Sequence, residues 1–402
     1  MRAMPDSETE KSAPFIAEAS AGRRPTWAEI NLDALAANFR AVRSRVGAGI
    51  KVMAVVKANA YGHGAVHCAK RLAREGADWF GVALPEEAIE LRRAGIAQPI
   101  LSLGGFWAGQ EQACIQHGIV PVVYRLEMVE ALERAAAAVG IVADVHVKID
   151  TGMGRLGVRP EQAREFVDAL RRFNHVRLDG VMTHFAAADN PERAFFTEEQ
   201  VARFNEAVAM IRERGFNPTY LDMANSAATF AQPSSWGNMV RPGGVLYGLW
   251  RDVLPPLGEP PGLRPVMAVR SRISLLKRVN QGETLGYGCT FEARRETLVA
   301  TLPIGYNDGY VRALSNQGRV IVRGAYAPVV GRISMDLTLI DVTDVEDVAT
   351  GDQVTLLGED GRLAVAAEEI AKTAGTLSYE ITCGISQRVP RYYLPAEESH
   401  SE

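Results

Sequence analysis

Short apolar runs recur along the first two thirds of this 402-residue chain, at 52–57, 79–84, 99–103, 119–124, 144–149, 178–184, 220–223 and near 239–246. Helical stretches lie between most of them. The clearest is 197–214, where Val201, Phe204, Val208 and Ile211 recur at helical spacing and Gly215 supplies the stop. Continuous apolar runs of this length are what strands covered on both faces require. Eight of them separated by helices, within roughly 220 residues, come close to the ~250 of a (β/α)8 barrel. The competing fold is an open doubly wound sheet. The polar residues favour the barrel. Lys57, Asp150 with Arg155, His184, Asn225 with Ser226, and Arg241 all fall at or just after the C-terminal ends of different runs. A closed barrel gathers those ends on one face, where its active sites are built.

The pattern changes at the proline- and glycine-rich stretch 254–262. Beyond it come short strand-like runs at 268–276, 297–302, 319–322, 327–330, 338–342 and 353–357, with one helix at 364–374, which predicts a mostly β second domain. The expected division is a mobile tail over 1–25, a barrel domain over 26–262 and a β domain over 263–395. A short strand at 26–32 opens the second of these and is a candidate to pair with the C-terminal domain. Asp33 or a neighbour then caps a helix running to Val46.

Charge narrows the function. With 44 Lys+Arg against 48 Asp+Glu the net charge is -4, which provides no basic footprint for nucleic acid or a membrane surface. The four cysteines (Cys68, Cys114, Cys289, Cys383) form no C-x-x-C pair, so neither a zinc site nor a disulfide framework is indicated, and a reducing, cytoplasmic setting is expected. Residues 1–24 lack the apolar core of a secretory signal. His63 and His67 stand four apart, but no carboxylate or third ligand joins them, so no metal is expected. The partner is then a small molecule or another protein.

Lys57 ends the first barrel run and is followed by Ala-Asn-Ala-Tyr-Gly-His-Gly. A lysine held partly out of water has its ammonium form disfavoured, so a neutral, nucleophilic amine becomes accessible and can form a Schiff base. An ordinary strand-end lysine snorkels to solvent instead. A Schiff-base lysine would serve a cofactor-free aldolase or hold pyridoxal phosphate. Ser226 and Arg241-Pro-Gly243-Gly244 follow the last two barrel runs, where barrels commonly bind phosphate.

Eight spaced segments decide among these options: Ala54-Val-Val-Lys57-Ala-Asn-Ala-Tyr61-Gly-His-Gly, Lys148-Ile-Asp-Thr-Gly-Met-Gly-Arg155-Leu-Gly, Met182-Thr-His184-Phe-Ala, Asn225-Ser226, Arg241-Pro-Gly243, Gly286-Tyr287-Gly, Gly331-Arg-Ile-Ser-Met335-Asp336 and Leu377-Ser-Tyr379-Glu. Together, in this order, they resemble the signature segments of the alanine racemases that depend on pyridoxal 5'-phosphate (PLP). The resemblance covers the chain from about Thr26 to Tyr393. It implies that Lys57 carries the cofactor and acts as one catalytic base and that Tyr287 is the other, because racemisation moves protons on both faces of a planar carbanion. A phenol of reference pKa ~10 needs help to act as a base near neutrality. The family pattern supplies a chain from Tyr287 through His184 to Arg241.

The same resemblance implies that Arg241 meets the pyridine nitrogen. An arginine keeps its own proton and cannot protonate that nitrogen, which restrains transamination. Tyr61, Ser226, Gly243, Gly244 and Tyr379 resemble the cofactor's phosphate shell, and Asn225 resembles a further cofactor-binding residue. Arg155 resembles the residue that orients cofactor and substrate carboxylate, with Met335 and Asp336 beside the substrate. Lys148 resembles a lysine that many members carry in carbamylated form, an anion able to hold Arg155. The expected enzyme is a cytoplasmic homodimer with sites shared between subunits, interconverting L- and D-alanine to supply peptidoglycan or to catabolise alanine. Its rivals are a racemase of broader specificity, a barrel PLP decarboxylase, and a non-catalytic PLP-binding protein. The decarboxylase would place a carboxylate where Arg241 stands. The binding protein would need no second base.

Overall fold

The computed structural model describes residues 22–256 and 261–395. Residues 1–21 of the expected tail and 257–260 of the proline-rich stretch lie outside this description. The chain divides into two compact units, one spanning Leu35–Arg264 and the other built from residues up to Ala34 together with those from Pro265 onward. Among the described residues no helix is long and apolar enough to cross a membrane.

The first unit is a closed barrel of eight parallel strands: β2 (Lys51–Val55), β3 (Trp79–Val82), β4 (Ile100–Ser102), β5 (Ile119–Val123), β6 (Ala143–Lys148), β7 (Val176–Met182), β8 (Tyr220–Asp222) and β9 (Met239–Val240). The β2–β9 pairing closes it, with Lys51 opposite Met239 and Val52 opposite Val240. Met53, Trp79, Leu101, Val122, Met182 and Met239 form a buried cluster, with Tyr124 and Tyr220 packed against it. These six come from six different strands, which is how side chains in layers fill a barrel centre. The expected eighth strand, 239–246, is shorter than the sequence pattern suggests. Pairing stops at Val240, and Gly244–Tyr247 form a 3-10 turn instead, because Pro242 lacks a ladder N–H and Gly243 and Gly244 bend the chain.

In the second unit, β1 (Thr26–Asn31) pairs antiparallel with β10 (Met267–Arg272) and parallel with Arg391–Leu394. The expected single run 268–276 is two strands, β10 and β11 (Leu275–Val279), which enter different sheets. The expected helix at 364–374 begins later, at Ala367, after a short strand Leu363–Val365, and a further helix spans Ser378–Gly384. The helix after β1 is Leu32–Val46, and its capping acceptor is Asn31, whose Oδ1 takes the Ala34 N–H at 2.8 Å.

Candidate active site

Strand β2 ends at Val55, two residues before Lys57, so this lysine is not on the strand as expected but opens a turn beyond it. Ala58, Asn59, Ala60 and Tyr61 all take left-handed backbone angles, with φ of 52°, 53°, 55° and 53°. Such a conformation costs an L-residue roughly 1–2 kcal/mol and is ordinarily seen only singly. Four in succession persist only where the surroundings over-determine them. Here they do. The turn closes its own hydrogen bonds, from Ala60 N–H to Val56 O at 2.8 Å and from Gly62 N–H to Ala58 O at 3.0 Å. Glu87 accepts the Ala58 N–H at 2.7 Å, Asn59 Oδ1 accepts the Ala65 N–H at 2.8 Å, and His63 Nδ1 lies 2.9 Å from the carbonyl oxygens of both Ala60 and Tyr61. Since carbonyl oxygens only accept, His63 carries its proton on Nδ1 and braces the turn. Its ring stacks on Tyr247, centroids 4.7 Å apart.

Tyr61 thereby reaches the loop after β9. A Cβ added at Gly243 would stand 2.4 Å from the Tyr61 hydroxyl oxygen, so only glycine admits that contact. Gly243 N–H donates to Ser226 Oγ at 2.9 Å, and the Asn225 side chain caps the short helix Ser226–Ala231 by accepting the Ala228 N–H at 3.1 Å. Tyr61, Ser226, Gly243 and Gly244 are all buried.

Arg241 is the best-anchored side chain of the group. Its Nε donates to Asp222 Oδ1, its Nη2 donates to the carbonyls of Thr183 at 2.7 Å and Met223 at 3.3 Å, and its Nη1 lies 3.5 Å from His184 Nδ1. Desolvation first, and the charges of Arg241, Lys148, Arg155 and Lys57 after it, hold the His184 imidazole well below its ordinary pKa. Burial, reinforced by Arg241, Arg155 and Lys57, pushes the Lys148 amine down to about 8, against the pull of Asp222. Four cations therefore crowd one end of the barrel, an environment that favours an anionic ligand. Arg155 itself is exposed, on a loop whose base is fixed by Asp150 accepting the N–H groups of Gly152 at 3.2 Å and Gly154 at 2.9 Å.

The remaining expected site residues belong to the second unit. Tyr287 lies between Gly286 and Gly288, both at positive φ, and is 73% exposed. Gly305 passes so close to Met335 that a Cβ there would fall 2.4 Å from the Met335 carbonyl, and Asn307 N–H donates to that carbonyl at 3.1 Å. Asp336 accepts from Arg388 at 2.8 Å. Tyr379 sits in the first turn of the helix Ser378–Gly384.

Two buried residues beneath Arg241 did not emerge from the sequence. Asp222 ends β8 and His146 stands two positions before Lys148 on β6, so strand alternation turns His146 and Lys148 to the same side. That parity was the available signal.

A barrel that gathers a lysine on a braced turn, a glycine-lined hydroxyl cradle and an anchored arginine at one end has the arrangement of a barrel enzyme's site suited to an anionic ligand. The family description "Alanine racemase, N-terminal domain" matches residues 30–250, and "Alanine racemase, C-terminal domain" matches 266–393. The alanine racemase of Geobacter sulfurreducens is 46% identical over 384 residues, covering 94% of this chain and 99% of that one. The crystal structure of alanine racemase from Streptomyces lavendulae superposes with a TM-score of 0.86 at 37% identity, covering 94% and 99%. That from Bartonella henselae, which holds covalently bound pyridoxal phosphate, superposes at 0.82 with 29% identity, covering 92% and 99%. The chain belongs to the alanine racemase family and is an isomerase.

Proposed function

We propose that this racemase interconverts L- and D-alanine using pyridoxal 5'-phosphate carried on Lys57. The observation that carries the reading is the setting of Lys57, half-buried on a left-handed turn whose last residue, Tyr61, forms the glycine-lined cradle with Gly243. The donor set fits the group. A primary amine suits the aldehyde, and hydroxyls, backbone N–H groups and neighbouring cations suit the phosphate. When bound, the cofactor supplies an electron sink that makes an amino-acid Cα proton removable.

The chain's own residues do the rest. Tyr61, Ser226, Gly243, Gly244 and Tyr379 would hold the phosphate, with Asn225 beside them in the cofactor site. Arg241 would face the ring nitrogen, with His184, 3.5 Å from its Nη1, supporting its placement. Arg155 takes the substrate carboxylate, with Met335 and Asp336 completing that end. Lys57 exchanges a proton on one face of Cα and Tyr287 on the other. The neutral His184 keeps Nε2–H for the Tyr287 oxygen, because Arg241 occupies Nδ1. Lys148, an amine near neutrality in this setting, is fit for carbamylation, which would give Arg155 an anionic partner.

Tyr287 comes from a second copy of the chain in this reading. Its support is the exposure of Tyr287 at 73%, with Met335, Leu337 and Leu377 exposed at 45–55%, side chains that a second copy would cover. We place the enzyme in the cytoplasm, supplying D-alanine for peptidoglycan or catabolising alanine. The test is D-alanine formation from L-alanine, with borohydride reduction and peptide mass spectrometry to locate the cofactor. Modification at a lysine other than Lys57, or no racemisation by cofactor-loaded protein, would overturn it.

A further inference from the structure

Beneath Arg241 lies a pair of buried polar side chains that neither the family segments nor the reaction as described accounts for. Asp222 and His146 are both fully buried. Asp222 Oδ1 accepts from Arg241 Nε, while Oδ2 has no hydrogen-bond partner among the described residues. Neither ring nitrogen of His146 has one either, and His146 Nδ1 stands 4.0 Å from that same Oδ2. The imidazole is held there deliberately by packing. Its ring centroid is 5.5 Å from that of Trp79 and 5.9 Å from that of Tyr220, and a Cβ at Gly180 would come within 2.5 Å of it, so the slot exists only because position 180 is glycine.

A buried carboxylate oxygen and a buried imidazole nitrogen, each unsatisfied and facing the other, are costly unless they share a proton. The 4.0 Å gap is longer than a direct hydrogen bond, so the pairing requires it to shorten. Building upward, Asp222 fixes the Nε edge of Arg241, the Thr183 and Met223 carbonyls take both Nη2 hydrogens, and His184 takes one from Nη1. A guanidinium has five N–H groups. One, on Nη1, remains.

We infer that Asp222 and His146 are positioning residues of the cofactor site: His146 donates Nδ1–H to Asp222 Oδ2, the carboxylate so held locks the guanidinium edge, and Arg241 is left with a single aimed N–H for the ring nitrogen. This deepens the reading of Arg241 given above and rests on it. The proton assignment has a physical cause. Burial holds the Asp222 carboxyl above its ordinary value, with Arg241 and Lys148 offsetting only part of that rise, while burial, with Arg241, pushes the His146 imidazole down to about 3. A neutral imidazole that donates from Nδ1 satisfies both groups and keeps the carboxylate charged opposite Arg241.

The experiment is nitrogen NMR on full-length protein with 15N-labelled histidine, with and without PLP, in wild type and Asp222→Asn. Wild-type His146 should be neutral with its proton on Nδ1. In Asp222→Asn the amide oxygen must still accept from Arg241 Nε, so the amide nitrogen faces His146 and the proton should move to Nε2. The PLP dissociation constant of Asp222→Asn should rise about tenfold, the effect of weakening one charge-assisted bond. A wild-type His146 with its proton on Nε2 overturns the inference, even if the variant fails to fold. An unchanged tautomer and unchanged PLP affinity in a folded variant overturn it as well. Absence of PLP from Lys57 in the wild type would instead defeat the reading on which it rests, and mass spectrometry reports that separately.

Discussion

Nη1 of Arg241 stands 3.5 Å from Nδ1 of His184, and because a guanidinium can only donate, the neutral imidazole must carry its proton on Nε2. The arginine thereby fixes the tautomer of the histidine without touching Nε2, the nitrogen proposed to face Tyr287. Replacing Arg241 changes two groups at once, and variants at this position have to be read with that in mind.

An Arg241→Glu exchange illustrates the point. Considered alone, it should cut racemisation and raise transamination, since a carboxylic acid can share a proton with the ring nitrogen. Next to Asp222, however, it brings a second carboxyl into a buried site, and like charges at such range drive one pKa up. The single variant should therefore lose about 3–5 kcal/mol of stability, the usual result of orphaning a buried ion. The double variant Arg241→Glu, Asp222→Asn should recover much of that loss and show increased pyruvate formation per racemisation event. Denaturant melts and product analysis check both parts, and an equally stable Arg241→Glu protein would contradict the buried pair.

Stability should fall in mild acid for an identifiable reason. His146 and His184 both have folded-state pKa values depressed below the unfolded value of about 6.5. The unfolded chain then binds more protons, so the stabilisation is complete above about pH 6.5 and is lost as the pH falls toward the folded values, at up to about 1.4 kcal/mol per pH unit for each histidine. His146→Phe should flatten this slope relative to wild type in urea melts at descending pH. An identical slope in both proteins would remove His146 from the account.

Lys57→Ala should lose covalently bound cofactor and racemisation together, by about a thousandfold or more in rate, since both the anchor and one base disappear. Borohydride trapping and a D-alanine assay measure the two effects. Full activity without an added amine would contradict the assignment.

A Lys57→Ala chain and a Tyr287→Phe chain, each nearly inactive, should restore activity when dissociated and reassociated together. Each mixed dimer then holds one intact site and one doubly damaged site, so recovery should reach about half of wild type per heterodimer. No recovery, with heterodimers demonstrated by native mass spectrometry, would show that the two bases belong to one chain.

Much of the barrel was readable because most strands are apolar runs and the expected site residues of the barrel fall at or just after strand ends. Arg241 and His184 could be named for that reason. Asp222 could not, because a lone aspartate closing the three-residue strand Tyr220–Asp222 looks like the start of a loop, and its partners Arg241 and His146 are remote in sequence. The left-handed turn after Lys57 was hidden too. Ala58 and Ala60 are strong helix formers of the ordinary hand, and only the contacts from Glu87, His63 and Asn59 reverse their preference. In the second unit, the helix Ser378–Gly384 is too short to show a period, and the break between β10 and β11 falls inside one continuous pattern.

That reversed turn also sets stability against purpose. Glycine at Ala58 or Ala60 would relax a backbone that alanine tolerates badly, so a protein engineer selecting only for heat resistance would be drawn to these positions. The same exchange would loosen the one piece of main chain that tells the lysine where to point. Thermostability screens on this enzyme should therefore carry an activity filter, because at these alanines a gain in melting temperature and a loss of turnover are two readings of the same relaxed torsion angles.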